Sequence, residues 1–274
     1  MHAGVKISQR RACGLMEIAR STARRQIQES ATNQNLQARI IDLAQARRRF
    51  GYRRIHDLLR GEGVQANHKR VYRLYSEAQL SVRKRKRRKL VTLDRQVLQE
   101  ARHPNEVWSI DFVMDALSNG RRIKCLTVVD DFTRECLDIA VDFGISGAYV
   151  ARVLDQIAQF RGLPKAIRTD QGPEFTSRAL DSWAYSKGVD LKLIAAGKPT
   201  QNAYIESFNG KFRDECLNEQ WFETLAQARQ EFSRWRRDYN EVRPHSAIGR
   251  IPPAQFAAVH RQLAGDAQHQ PEIQ

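Results

Sequence analysis

The 274-residue chain is short of three things, and each absence excludes a class of protein. It has 4 cysteines, Cys13, Cys125, Cys136 and Cys216, far apart and with no C-x-x-C pair, so a disulfide framework or a zinc module is not expected and a reducing cytoplasm fits. No apolar run approaches the roughly 18 residues needed to span a membrane, and the start, Met-His-Ala-Gly-Val-Lys-Ile, lacks the apolar centre of a signal peptide. Acidic residues are scarce where basic ones are dense. Residues 1–100 hold 24 Lys and Arg against 8 Asp and Glu, net +16, while the remaining 174 hold 22 against 23, net −1. The overall excess of +15 therefore resides in the first hundred residues, as in a nucleic-acid-binding part joined to a nearly neutral one. A merely solvated basic surface is the plainer reading, but the charge here comes in patterned helices.

Residues 8–28 suggest two short helices around Gly14, with Ser21 and Thr22 as caps of the second, and 34–49 carries Leu36, Ile40, Leu43 and Ala44 at helical spacing. Tyr52–Arg60 and His68–Ala78 are amphipathic, are separated by Gly61-Glu-Gly63, and the second is capped by Asn67. Two short helices about a glycine turn match helix-turn-helix grammar, and Arg53, Arg54, Lys69, Arg70 and Arg73 lie on their outer faces as candidate DNA contacts. The alternative is a small bundle with a solvated face. The run Arg83-Lys-Arg-Lys-Arg-Arg-Lys89 repels itself and reads as a linker; its Arg83, Lys84 and Lys86 can neutralise phosphates. Residues 91–103 read as a short helix.

From 104 the pattern becomes that of strands. In 106–115, Trp108, Ile110, Phe112 and Met114 alternate with Ser109, Asp111, Val113 and Asp115. Strands at 123–130, 136–143, 166–170 and 190–195 and helices at 147–160, 177–187, 202–218 and about 224–240 make a mixed α/β sheet flanked by helices, with 265–274 frayed. The expected organisation is 1–80 helical, 81–103 basic linker, 104–220 catalytic core and 221–274 C-terminal helix and tail.

Three acids stand out. Asp111 shares a strand with large apolar residues but faces away from them, and a lone buried carboxylate is costly. Asp170 ends a strand immediately before Gln171-Gly172-Pro173. Glu206 sits on a helical stripe with Asn202, Asn209, Gly210 and Arg213. Three carboxylates suit Mg²⁺ or Mn²⁺, and a pair of such ions can drive phosphoryl transfer. Asp115, Asp130, Asp131 and Glu174 are competing acids; a pair such as Asp130-Asp131 at a strand end more often caps a turn. Gly210 invites close approach of a backbone or of DNA.

With 35 residues between Asp170 and Glu206, these acids resemble the DDE transposase and retroviral-type integrase core. Trp108-Ser-Ile-Asp-Phe112, Arg168-Thr-Asp-Gln-Gly-Pro-Glu-Phe175, the segment from Asn202 to Asn218, and Tyr239-Asn-Glu-Val-Arg-Pro-His-Ser-Ala-Ile-Gly249 stand in order. Together they resemble the OrfB subunit of bacterial insertion-sequence transposases over nearly the whole chain. The resemblance implies an RNase H-like catalytic core preceded by a small all-α helix-turn-helix region. It also implies Mg²⁺-dependent cutting and joining of double-stranded DNA, with Asp111, Asp170 and Glu206 as catalytic and metal-binding triad and Arg213 at the DNA; Lys211 on the same helix is a further candidate DNA contact. A homo-oligomer on DNA is expected, in the bacterial cytoplasm at the nucleoid. The family joins this region to an upstream OrfA-type product; no sustained heptads occur here, so that segment is expected from a separate product or a fusion. A regulatory DNA-binding subunit inactive without that partner, and an RNase H-type nuclease, are the other readings.

Overall fold

A computed structural model describes residues 7–23, 31–82, 100–194 and 202–268. Five helices come first: α1 (Gln9–Leu15), α2 (Arg20–Ala23), α3 (Ala31–Ala46), α4 (Tyr52–Gly61) and α5 (His68–Glu77). Gly14 lies within α1, and Ser21 and Thr22 sit inside the single turn of α2 instead of capping it. Asn67 does cap α5, its side-chain oxygen accepting from the Lys69 N–H at 2.9 Å. Helices α3 to α5 close a small core of Leu36, Ile40, Leu43, Phe50, Ile55, Leu59, Val71 and Leu74. The basic run with Arg83, Lys84 and Lys86 lies outside the described residues, as does most of the helix expected at 91–103; of that helix, 100–103 is not helical.

The strands β1 (Val107–Ala116), β2 (Arg122–Asp130), β3 (Cys136–Asp142), β4 (Ala166–Thr169) and β5 (Asp190–Leu193) form one sheet in the order β3-β2-β1-β4-β5. β1–β2 and β2–β3 are antiparallel; β1–β4 and β4–β5 are parallel. Helices α6 (Gly147–Arg161) and α7 (Arg178–Lys187) cover one face, and α8 (Ala203–Glu215) and α9 (Leu225–Glu241) the other. Alternation along β1 makes this possible: Trp108 and Ile110 enter the α6/α7 core, while Val113 enters the α8/α9 core. Asp111, of the same parity as Val113, is thereby placed on the α8 side. α6 and α7 cross so closely that a Cβ on Gly147 would lie 1.8 Å from the Ser177 hydroxyl, which requires glycine there.

The boundary drawn at residue 220 runs through one core. Phe222, Ala228, Phe232 and Tyr239 share a cluster with Phe208 and Phe212 of α8 and Ile139 of β3. Of the frayed end expected at 265–274, residues 265–268 are helical and the rest lie outside the described residues: α10 (Pro253–Gln268) packs Phe256 and His260 against Phe132. Its sequence sign was a proline suited to the first helical position. No helix among the described residues is long and apolar enough to cross a membrane.

Candidate active site

Strand register brings the acids together. β1 and β4 run parallel with Trp108 beside Ile167 and Ser109 beside Arg168; this register carried on past the end of β4 leads Asp170 toward Asp111, whose carboxyl feels its charge. Adjacent strands lie about 4.8 Å apart. The third acid is brought in by α8. Asn209, one turn after Glu206, donates through Nδ2 to Asp111 Oδ2 at 2.8 Å and accepts from Thr127 Oγ1 at 2.9 Å. Thr127, the β2 partner of Asp111 in register, shares that one hydroxyl proton with the Asp111 carbonyl, 3.1 Å away. Further along α8, Arg213 Nη2 donates to the Met114 carbonyl at 3.0 Å.

Asp111 is half-buried and its pKa is raised from 3.8 to about 6. Burial is the main cause; the charges of Asp170 and Glu206 add to it, while the Phe112 N–H and the Asn209 amide oppose it. The three carboxylates thus share one electrostatic neighbourhood. Asp170 and Glu206 are exposed, and among the described residues no group of three His, Cys, Asp or Glu is drawn tightly enough to hold a metal ion unaided. The donor set nonetheless suits a hard divalent cation: three carboxylates whose mutual repulsion a cation would relieve. Asp170 Oδ1 accepts from the Gly172 N–H at 2.9 Å, and a Cβ on Gly172 would press on that oxygen at 3.1 Å. Asn209→Ala should cost about 1–2 kcal/mol, the scale of a hydrogen bond to a charged group, and move the Asp111 titration above 6. A carboxyl NMR titration in which the midpoint stays put would exclude the role given to Asn209.

The competing acids do other work. Asp130 caps its turn, accepting from the Phe132 and Thr133 N–H groups at 2.9 Å each. Asp131 is buried against Arg168 at 2.6 Å. Glu174 pairs with Lys124 at 2.5 Å, and Asp115 Oδ1 accepts from the Ala116 N–H. Among the described residues, no atom from outside α8's own backbone comes within 4 Å of the place a Cβ on Gly210 would occupy, so that point on α8 is open.

The candidate DNA contacts divide. Arg53, Lys69 and Arg73 are exposed on α4 and α5; Arg53 bonds the Tyr52 hydroxyl and Arg73 the Glu77 carboxylate. Arg70 is half-buried and bonds Asn33 at 2.8 Å. Arg54 faces the core, donating to Glu215 at 2.9 Å. Lys211 is half-buried; burial and the neighbouring Arg243 lower its pKa to about 8. Sequence reasoning missed Thr127, whose only sign was its cross-strand place beside Asp111. It also missed the work of the 239–249 segment: Asn240 extends β3 through two bonds to Cys136, and Arg243 pairs with Glu215.

The five-stranded mixed sheet flanked by helices is that of an integrase-type core, and comparison with known proteins agrees on the fold. Two models described as "Integrase core domain" match residues 101–199 and 187–253, and one described as "HTH-like domain" matches 31–89. The 31.7 kDa protein of insertion element IS407 from Burkholderia multivorans is 65% identical over 260 residues, 95% of this chain and 94% of that one. The transposase for insertion sequence element IS904 from Lactococcus lactis is 28% identical over 76% of this chain and 87% of its own length. The simian T-cell lymphotropic virus intasome structure shares the fold, with a TM-score of 0.51 at 16% identity, covering 86% of this chain and 76% of that one. The chain belongs to the insertion-sequence transposases with an integrase-like core.

Proposed function

We propose that this transposase cuts the ends of its element and joins the freed 3′-hydroxyls to DNA, using two divalent cations held by Asp111, Asp170 and Glu206. One observation carries the reading: strand register and the Asn209 bridge set all three carboxylates in one electrostatic neighbourhood near an open point on α8. When bound, Mg²⁺ or Mn²⁺ would activate the attacking oxygen and stabilise the leaving one. The chain's own part is to supply and orient the acids. Asn209 and the Phe112 N–H hold Asp111 in its ionised form above pH about 6, and the Gly172 N–H orients Asp170. Arg213, on the Glu206 face, can grip a phosphate with two parallel bonds. Arg213→Ala should lower joining about 10–100-fold, and Arg213→Lys should recover part of it, because charge returns without the fork. Parent-like single-turnover joining by the alanine variant at saturating DNA would remove Arg213 from the site.

The exposed Arg53, Lys69 and Arg73, with the run containing Arg83, Lys84 and Lys86, would bind the phosphate backbone of element ends. Replacing 83–89 by Ser and Gly should flatten the salt dependence of binding by about 0.9 in log–log slope for each phosphate no longer neutralised; an unchanged slope would make the run a tether. Assembly as a homo-oligomer on paired ends, an upstream OrfA-type product or fusion, and a place at the bacterial nucleoid belong to the same proposal. The direct test is incubation with labelled element-end DNA and Mg²⁺, with and without the fused upstream segment. Nicks at the element boundary that EDTA abolishes are expected; their absence in both arms would overturn the reading.

A further inference from the structure

Helix α8 ends on Glu215, a carboxylate that the reaction does not use. It follows Glu206 by nine residues, about 13 Å along the axis and about half a turn away in angle, so the two acids face opposite sides. The Glu215 side chain is 10% exposed. Its Oε1 accepts from Arg54 Nη1 at 2.9 Å and from Arg243 Nη2 at 2.7 Å, and its Oε2 accepts from Arg243 Nε at 2.7 Å. Arg243 is 2% exposed, and its Nη1 lies 3.1 Å from His245 Nε2. A guanidinium can only donate, so that imidazole nitrogen accepts. Both guanidiniums lie over the Phe50 ring, at 5.0 and 5.7 Å. One arginine comes from the helical region and the other from the chain after α9, and they meet on the catalytic helix. The neighbouring cross-pairs, Arg47 with Asp238 and Arg49 with Glu219 at 2.7 Å, reach α9 and the turn after α8, not α8 itself.

We propose that Glu215 is a positioning residue: the Arg54–Glu215–Arg243 clamp sets the seating of α8 and thereby where Glu206 and Asn209 stand against Asp111. Docking of the helical region on the core then becomes a condition for a productive site. This rests on the reaction proposed above. Two arginines on one carboxylate oppose rotation of α8 from the far side, as Asn209 and Arg213 do from the near side.

Arg54→Gln is the variant of choice, because Arg243 still pairs with Glu215 and no buried carboxylate is left alone. In DNA-free protein, amides of 205–213 should exchange about tenfold faster, with those of α5 unchanged. Affinity for element-end DNA in Ca²⁺ should stay within about twofold. Single-turnover cleavage at saturating DNA should fall about tenfold and need more Mg²⁺ for half its maximum; Arg54→Lys should recover part of the loss. Unchanged exchange in α8, or faster exchange with unchanged cleavage, overturns the proposal. Weaker DNA affinity with an unchanged rate at saturation makes Arg54 a DNA contact instead. Should the parent itself cut no end DNA, the reaction reading fails, while the exchange comparison still decides whether the clamp seats α8.

Discussion

Asp111→Asn should lower cleavage and joining about a thousandfold, and at the same time make the metal-free protein more stable. The first effect follows from removing a ligand charge worth several kcal/mol of metal-assisted stabilisation. The second follows from proton linkage. The folded Asp111 carboxyl has a pKa of about 6 against 3.8 in the unfolded chain, so the unfolded state releases its proton first as pH rises. Stability therefore falls across that window and stays lower above it. Asparagine escapes that loss; its one side-chain oxygen can still accept from Asn209, while the Phe112 N–H that met Asp111 Oδ1 at 2.7 Å loses its acceptor. Net of that lost bond and of partial exposure, the gain at neutral pH should be up to about 1 kcal/mol, or a few degrees in Tm, and should be lost below pH about 4. Mg²⁺ should then raise the Tm of the parent and not of the variant. Thermal unfolding in EDTA at several pH values reads the stability change, and labelled end DNA reads the catalytic one. Parent-like cleavage, or a stability difference between variant and parent that does not change with pH, would remove Asp111 from its assigned place.

Phe212→Ala should destabilise the fold by about 3–5 kcal/mol, a drop of roughly 10 °C or more in Tm. The ring has no exposed surface and packs within 5.0 Å of Phe232 and 5.1 Å of Trp235, on the helix beyond residue 220. Removing it leaves a cavity between α8 and α9 that neither helix can close while both are fastened to the sheet. Phe160→Ala, at an 88% exposed ring, is the control and should stay within about 0.5 kcal/mol. Equal urea midpoints for the two variants would contradict the packing. The same geometry says that truncation after Gln220 takes away Phe222, Ala228, Phe232 and Tyr239 from the cluster that seats the Glu206 helix.

Much of the architecture was legible in the sequence because its signals are local. Period-two alternation marked β1, and Asn67 marked the start of α5. The helical stripe of Glu206 already carried Asn209, the residue found on Asp111. The end of the chain was less legible. α10 begins at a proline after irregular backbone, and its apolar residues meet partners such as Phe132 that are remote in sequence.

The basic residues of the helical region show most clearly what a sequence leaves open. Arg53 and Arg54 are neighbours of one chemistry on one helix, yet one is exposed and the other donates to Glu215, 161 positions away. Periodicity tells which face of a helix is polar, but not whether water, DNA or another part of the chain covers it. By itself the sequence determined the five strands, most of the helices and the asymmetry of charge, and singled out three acids as candidates, because these follow from residue type and spacing. Only the tertiary structure decided which arginines remain exposed and that α9 belongs to the sheet. It alone led Asp170 toward Asp111, because the parallel register of β1 and β4 is set by contacts between segments almost sixty residues apart.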